Sequence, residues 1–199
     1  MNFLAHAYLS FNQPEILAGN MISDFVKGKK QYTYSSMIQK GIRLHRSIDD
    51  FTDNHPATRE IKEFFRPVYR LYSGAFTDIV YDYFLANDSA EFADTESLEL
   101  FTKQTYTFLE SNIHALPLEF KKVFPHMRQY DWLFNYRNEE GIMKSFNGLT
   151  YRSKYLIESA TAFSIFKNNR LEMQRFYYEF FPLLKKHAAT TLKDLLSND

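Results

Sequence analysis

The run Gly41-Ile42-Arg43-Leu44-His45-Arg46-Ser47-Ile48-Asp49-Asp50-Phe51-Thr52, closed by Asp53-Asn54-His55-Pro56, constrains this chain more than any other stretch. At ~100° per residue, His45, Asp49 and Thr52 share a helix face with Ile38 and Ile42, whereas Arg46 and Asp50 lie well off it. That stripe should turn inward, and a buried charge needs a partner or a metal. An imidazole and a carboxylate one turn apart can converge on a single cation. Taken alone, one His–Asp hydrogen bond on a helix surface is the simpler reading. The weight against it comes from the rest of the chain.

At 199 residues the chain is long enough for one full hydrophobic core and short for two, so one domain over 1–199 is expected. Hydrophobic residues make up 45% and the mean hydropathy is −0.42, which suits a soluble globular protein. Only 6 Gly and 6 Pro argue against a loop-rich or all-β fold. The 24 basic and 24 acidic residues cancel, which excludes the basic excess of a general nucleic-acid binder. Cysteine is absent, so there is no disulfide framework and no Cys-based zinc site. No signal peptide and no apolar run long enough for a bilayer are recognised, and the cytoplasm is the default location.

In chain order, Met1 to Ser10 has helix-like spacing around His6, and Pro14 suits the first position of a helix reaching Val26 and stopped by Gly28. Ser35 or Ser36 caps the next helix, which carries His45 and Asp49 and ends before Pro56. Ala57 to Phe65 continues as a helix that Pro67 breaks or kinks, with Gly74 a further joint. Ala75 to Ala86 is an apolar helix with Asp78 and Asp82 one turn apart, costly unless something positive lies between them. Thr95 to His114 is strongly amphipathic, with Pro117 and Pro125 punctuating two short helices beyond it. Glu139 to Leu149 forms another helix, closed near Gly148, and Ala160 to Leu196 makes one or two long helices with a kink at Pro182. No run alternates like a strand. The reading is an all-α bundle whose aromatic stripes are core.

Polar residues set into these apolar helices are His6, Asn20, Asp24, His45, Asp49, Asp78 and Asp82. Each alone is an ordinary structural group, but together they bring imidazoles and carboxylates to the inner side of several helices. Mixed His/Asp ligation suits Mn²⁺, Fe²⁺ or Mg²⁺, with Zn²⁺ also allowed. Such a metal activates water and polarises a phosphoryl group. Arg43, Arg46, Arg59, Arg66, Arg70 and Arg152 are phosphate-binding candidates, Arg46 first because it adjoins His45. With no cysteine, no Gly-rich phosphate loop and no serine elbow, covalent catalysis is disfavoured.

Met1-Asn-Phe-Leu-Ala-His6, Gly19-Asn20 with Asp24-Phe25-Val26-Lys27-Gly28, Gly41-Ile-Arg-Leu-His45-Arg46-Ser-Ile-Asp49 with Thr52-Asp53, and Asp78-Ile-Val-Tyr-Asp82-Tyr-Phe-Leu resemble the bacterial acyl carrier protein phosphodiesterases. Gly141-Ile142, Asn147-Gly148-Leu149 and Arg152 extend the likeness. The resemblance implies a helical fold related to the HD-type metal phosphohydrolases. It also implies hydrolysis of the phosphodiester joining 4′-phosphopantetheine to a serine of holo-acyl carrier protein, with Mn²⁺ as cofactor and Mg²⁺ or Fe²⁺ as alternatives. By position, Asp24, His45, Asp49 and Asp78 would form the metal shell, with His6, Arg46 and Asp82 assisting catalysis or orienting substrate. One departure stands out: the family pattern reads Asp-His-Phe-Leu where this chain has Asp82-Tyr83-Phe84-Leu85. If that histidine serves the metal, Tyr83 alters activity; if it packs, Tyr83 is neutral.

The expected function is therefore a metal-dependent phosphodiesterase acting on a carrier protein. An acidic carrier would need basic docking residues, for which Lys27, Lys29, Lys30 and Arg43 are candidates, with Arg46 and Arg152 on phosphate. Two alternatives remain open: an HD-like phosphohydrolase acting on a nucleotide or small phosphoester, and a non-catalytic helical binding protein with a degenerate site.

Overall fold

The computed structural model describes residues 1–197; residues 198 and 199 of the expected 1–199 domain lie outside the described residues. Every regular element among the described residues is helical. In order they are α1 (Phe3–Tyr8), α2 (Pro14–Ile22), α3 (Ser36–Asn54), α4 (Pro56–Tyr69), α5 (Ser73–Ala86), α6 (Thr95–Ser111), α7 (Leu118–Gln129), α8 (Trp132–Asn135), α9 (Glu139–Arg152) and α10 (Ala160–Ser197). Short 3₁₀ turns fill several joints. No described helix is long and apolar enough to cross a membrane.

One continuous apolar cluster gathers side chains from nearly every helix, among them Leu4, Ile16, Ile42, Phe65, Phe146 and Phe180. Its aromatics interlock: Phe65 stacks on Phe76 with centroids 5.5 Å apart, and Tyr81 stacks on Phe180 at 4.6 Å. The many rings of the sequence are thus core material, each burying a large apolar area.

Local chemistry sets the helix starts. Ser35 Oγ accepts the Ile38 N–H at 3.3 Å, and His55 Nδ1 accepts the Ala57 N–H at 3.2 Å just before Pro56. Only six residues long, α1 cannot stand alone. The fully buried Asp82 of α5 holds its N-terminus, accepting the Leu4 N–H at 2.8 Å and the Ala5 N–H at 3.2 Å.

Several boundaries differ from the sequence expectation. Pro67 does not break α4, which runs on to Tyr69, and Pro125 lies inside α7, whereas α10 is the single long helix that is one of the two readings of the sequence, with Pro182 inside it. A proline removes one backbone bond, and the apolar side chains flanking it, such as Phe181 and Leu184 beside Pro182, stay buried and hold the helix against the core. The joint expected at Gly74 lies just before it, over Arg70–Tyr72, so that Gly74 falls in the first turn of α5, and α9 continues past Gly148 to Arg152. The helix expected to reach Val26 stops at Ile22 and tightens into a 3₁₀ turn over Ser23–Phe25, as helix ends do to satisfy their last carbonyls. That turn swings Asp24 toward α3.

Candidate metal centre

The centre begins with a close helix crossing. Gly19 of α2 and Gly41 of α3 face each other so tightly that a Cβ on Gly41 would lie 2.3 Å from the Ile16 carbonyl oxygen and 2.9 Å from Gly19 Cα. Only hydrogen fits there. One residue after Gly19 and one turn after Gly41, the Asn20 carbonyl accepts a hydrogen bond from His45 Nδ1 at 2.8 Å.

Asn20 also fixes His6. Its Nδ2 donates to the His6 carbonyl at 2.8 Å and to Ser10 Oγ at 3.1 Å, leaving Oδ1 to accept from His6 Nδ1 at 2.8 Å. Both imidazoles thus carry a proton on Nδ1, which frees Nε2 as the coordinating atom. The two rings stack at 3.9 Å with planes 16° apart.

Both Nε2 atoms meet carboxylates. Asp49 puts Oδ2 3.1 Å from His45 Nε2 and Oδ1 3.2 Å from His6 Nε2, and Asp24 brings Oδ1 to 3.2 Å from His45 Nε2. His6 Nε2 is buried and has no hydrogen-bond partner despite its acidic neighbour. A lone pair facing a carboxylate oxygen is repulsive unless a cation joins them. His6, His45 and Asp49 each offer a ligand atom, all within 4.8 Å of one another, so the donor set fits a divalent metal ion.

Titration follows the same geometry. Burial, with the His45 charge added, pushes His6 down to about 4. Burial also opposes a proton on His45, but hydrogen bonds to Asp24 and Asp49 outweigh it and lift His45 to about 9 without metal. Burial alone would raise Asp49, yet the hydrogen bond from His45, the adjoining His6 and the N-terminal ammonium hold it far below the usual carboxylate range. The hydrogen bond to His45 likewise lowers Asp24.

The remaining candidates sit as follows. Asp24 projects outward, its side chain 77% exposed apart from the oxygen on His45. Asp78 is half-buried and lies 3.1 Å from the Met1 α-ammonium, which is also 3.3 Å from Asp49 Oδ1. Burial disfavours that ammonium, but Asp78 and Asp49 raise it to about 10. Asp82 points to α1 rather than to the imidazoles, and burial lifts it to about 7 against the pull of the Leu4 and Ala5 N–H groups. Arg46 is exposed and donates to Gln31 Oε1 at 2.8 Å, while Lys27 and Lys30 are exposed on the segment after Asp24. Tyr83 packs edge-on against Phe166 of α10 at 5.0 Å. Asn20, singled out in the sequence as a carboxamide inside the apolar run Ile16–Ile22 but given no role, anchors both rings.

Two cavities include residues named above. One, of about 610 Å³, is lined by Asp78 with Asp53, Lys62, Arg66 and Arg70. The other, also about 610 Å³, runs between α1, α8 and α9 and includes Arg152.

Sequence comparison shows the family. Curated relatives named acyl carrier protein phosphodiesterase include those of Photorhabdus laumondii, 28% identical over 94% of this chain and 95% of the relative, and Pectobacterium atrosepticum, 26% identical over 96% and 98%. The Salmonella agona protein of that name is 28% identical over 95% of this chain and 98% of its own. No solved structure matches. The family model for acyl carrier protein phosphodiesterase matches residues 1–184, and the chain belongs to that family.

Proposed function

We propose that this chain is a metal-dependent phosphodiesterase that releases 4′-phosphopantetheine from holo-acyl carrier protein. The observation that carries the reading is the orphaned His6 Nε2, buried beside Asp49 and stacked on His45 in a chain of this family. A divalent cation held by His6, His45 and Asp49, Mn²⁺ foremost and Mg²⁺ or Fe²⁺ next, supplies water activation and Lewis acidity at phosphorus. Asp24 and Asp78 are the further carboxylates of the shell. Asn20 keeps both Nε2 atoms aimed at the ion, and Asp82 acts as a positioning residue by seating the helix that carries His6. Arg66 and Arg70, in the cavity that Asp78 lines, neutralise the phosphate as charge builds, with Arg46 and Arg152 as outer contributors. Lys27, Lys29, Lys30 and Arg43, all exposed, form the face on which an acidic carrier docks. An HD-type relationship and a cytoplasmic location, suited to a chain without cysteine, complete the reading.

The test is incubation of purified protein with holo-carrier protein and Mn²⁺, followed by intact mass. The carrier should lose the phosphopantetheine mass, and His45→Ala should abolish that loss. Charge reversal at the three lysines should raise KM for carrier about tenfold and leave a small diester unaffected. An unchanged carrier mass alongside cleavage of a nucleotide or small diester would move the protein to a different substrate.

A further inference from the structure

The second cavity has a shape and lining that the metal chemistry does not use. Three of its wall residues are chain neighbours of the centre: Asn2 and Phe3 follow Met1, and Ile79 follows Asp78. From there it extends along one face of α9, where Gly141, Ser145, Gly148 and Arg152 recur at helical spacing. Eleven residues of helix at ~1.5 Å each make a slot roughly 16 Å long. Its volume of about 610 Å³ lies in the range of roughly 300–1,000 Å³ typical of small-molecule sites.

The walls are amphipathic. Phe3 and Trp132 form an aromatic side, with ring centroids 6.5 Å apart, and Ile79 adds an aliphatic one. Asn2 and Gln129 present carboxamides, while Lys144 and Arg152 are exposed at the rim. Resting on the proposed function, we propose that this slot receives the pantetheine arm, with the scissile phosphate at the metal centre and the thiol end lying along α9. The arm is a thin chain with a dimethyl-bearing carbon, two amides and a terminal thiol. From phosphate oxygen to sulfur it has as many backbone bonds as about four peptide residues, about 14 Å when extended. Its methyl and methylene groups match Phe3, Trp132 and Ile79, and its amides match Asn2 and Gln129. The opposite cavity, with Lys62, Arg66 and Arg70, has the wrong character for such a chain and suits the anionic side of the diester.

Trp132 is the single tryptophan in the sequence, so its fluorescence reports on the slot without any turnover. The experiment titrates phosphate-free pantetheine into the Mn²⁺-loaded protein and follows that emission. A blocking variant is Gly148→Leu: a Cβ there meets only Arg152 Nη1, at 3.9 Å, and a helical leucine is better tolerated than glycine, so the chain folds while the slot is filled. The wild type should give a saturable change. In the variant that change should weaken by at least about tenfold and KM for holo-carrier protein should rise similarly, with the thermal midpoint kept within about 4 °C of the wild type to show that the chain folds. No saturable change in the wild type, or an unaltered response in Gly148→Leu, would overturn the assignment. Failure to remove phosphopantetheine from the carrier refutes the enzymatic reading instead, and the fluorescence still decides the slot.

Discussion

The Gly19–Gly41 crossing gives a sharp prediction because its geometry sets the size of the effect. In Gly41→Ala the new Cβ would lie 2.3 Å from the Ile16 carbonyl oxygen, whereas ordinary contact begins near 3.4 Å, so α2 and α3 must part by about 1.1 Å. The His45 Nδ1 to Asn20 carbonyl bond, 2.8 Å and next to the crossing, would stretch to about 3.9 Å and be lost. Overpacking a dense core costs about 1–3 kcal/mol and the lost bond about 1 kcal/mol more. At about 3 kcal/mol in all, Tm should fall by roughly 6–12 °C for a chain of this size. Misplacing His45 by about 1 Å should also cut kcat/KM about 100-fold. Gly74→Ala is the control, because its Cβ would meet only the flexible Lys62 side chain at 3.4 Å. Thermal denaturation and holo-carrier hydrolysis on both variants make the comparison. If Gly41→Ala melts with the wild type and turns over at its rate, the helices are not locked at this crossing.

Three further outcomes follow from the centre. Asn20→Ala removes the Oδ1 acceptor of His6 Nδ1 and one donor each from the His6 carbonyl and Ser10 Oγ, which keep only their mutual bond, so Mn²⁺ affinity should drop about 10- to 100-fold; calorimetry giving an unchanged Kd would contradict that role. In metal-free protein His45 sits near 9, above its unfolded value, so its stabilising proton is fully held below about pH 6.5 and lost as pH rises through 9. Metal must displace that proton, and apparent Mn²⁺ affinity should therefore climb by about tenfold per pH unit up to about pH 9; a flat profile between about pH 6 and 8 would exclude it. Asp82 is raised to about 7, so its contribution is complete below about pH 4 and lost as pH rises to 7. Asp82→Asn should remove that decline, read as the pH dependence of the urea midpoint relative to wild type, and parallel profiles would argue against it.

The helical class is legible in the sequence because periodic apolar stripes and few glycines leave little else. The His45–Asp49 contact is legible too, since two residues one turn apart on a helix must adjoin. Partners across helices leave no such trace. The Asn20 carbonyl that orients His45 is backbone, and no residue type advertises it. Asp82 stands one turn from Asp78, yet its carboxylate turns to the α1 amides while Asp78 meets the Met1 ammonium, a divergence only tertiary packing decides. Pro67 misleads for the opposite reason: a local rule marks it as a break or kink, and the buried Phe65 and Tyr69 on either side carry the helix past it.

The tie between Asp82 and the first helix has a consequence for biosynthesis. The bonds from Leu4 and Ala5 span 78 and 77 positions of the chain, so these residues leave the ribosome well before the carboxylate that holds them is made. A nascent chain arrested between Asp49 and Asp82 would already carry His45 and its neighbouring carboxylate on one helix. It would have nothing to moor α1, and the hollow between the imidazoles and Asp49 would stay open on the side of His6 until α5 emerged.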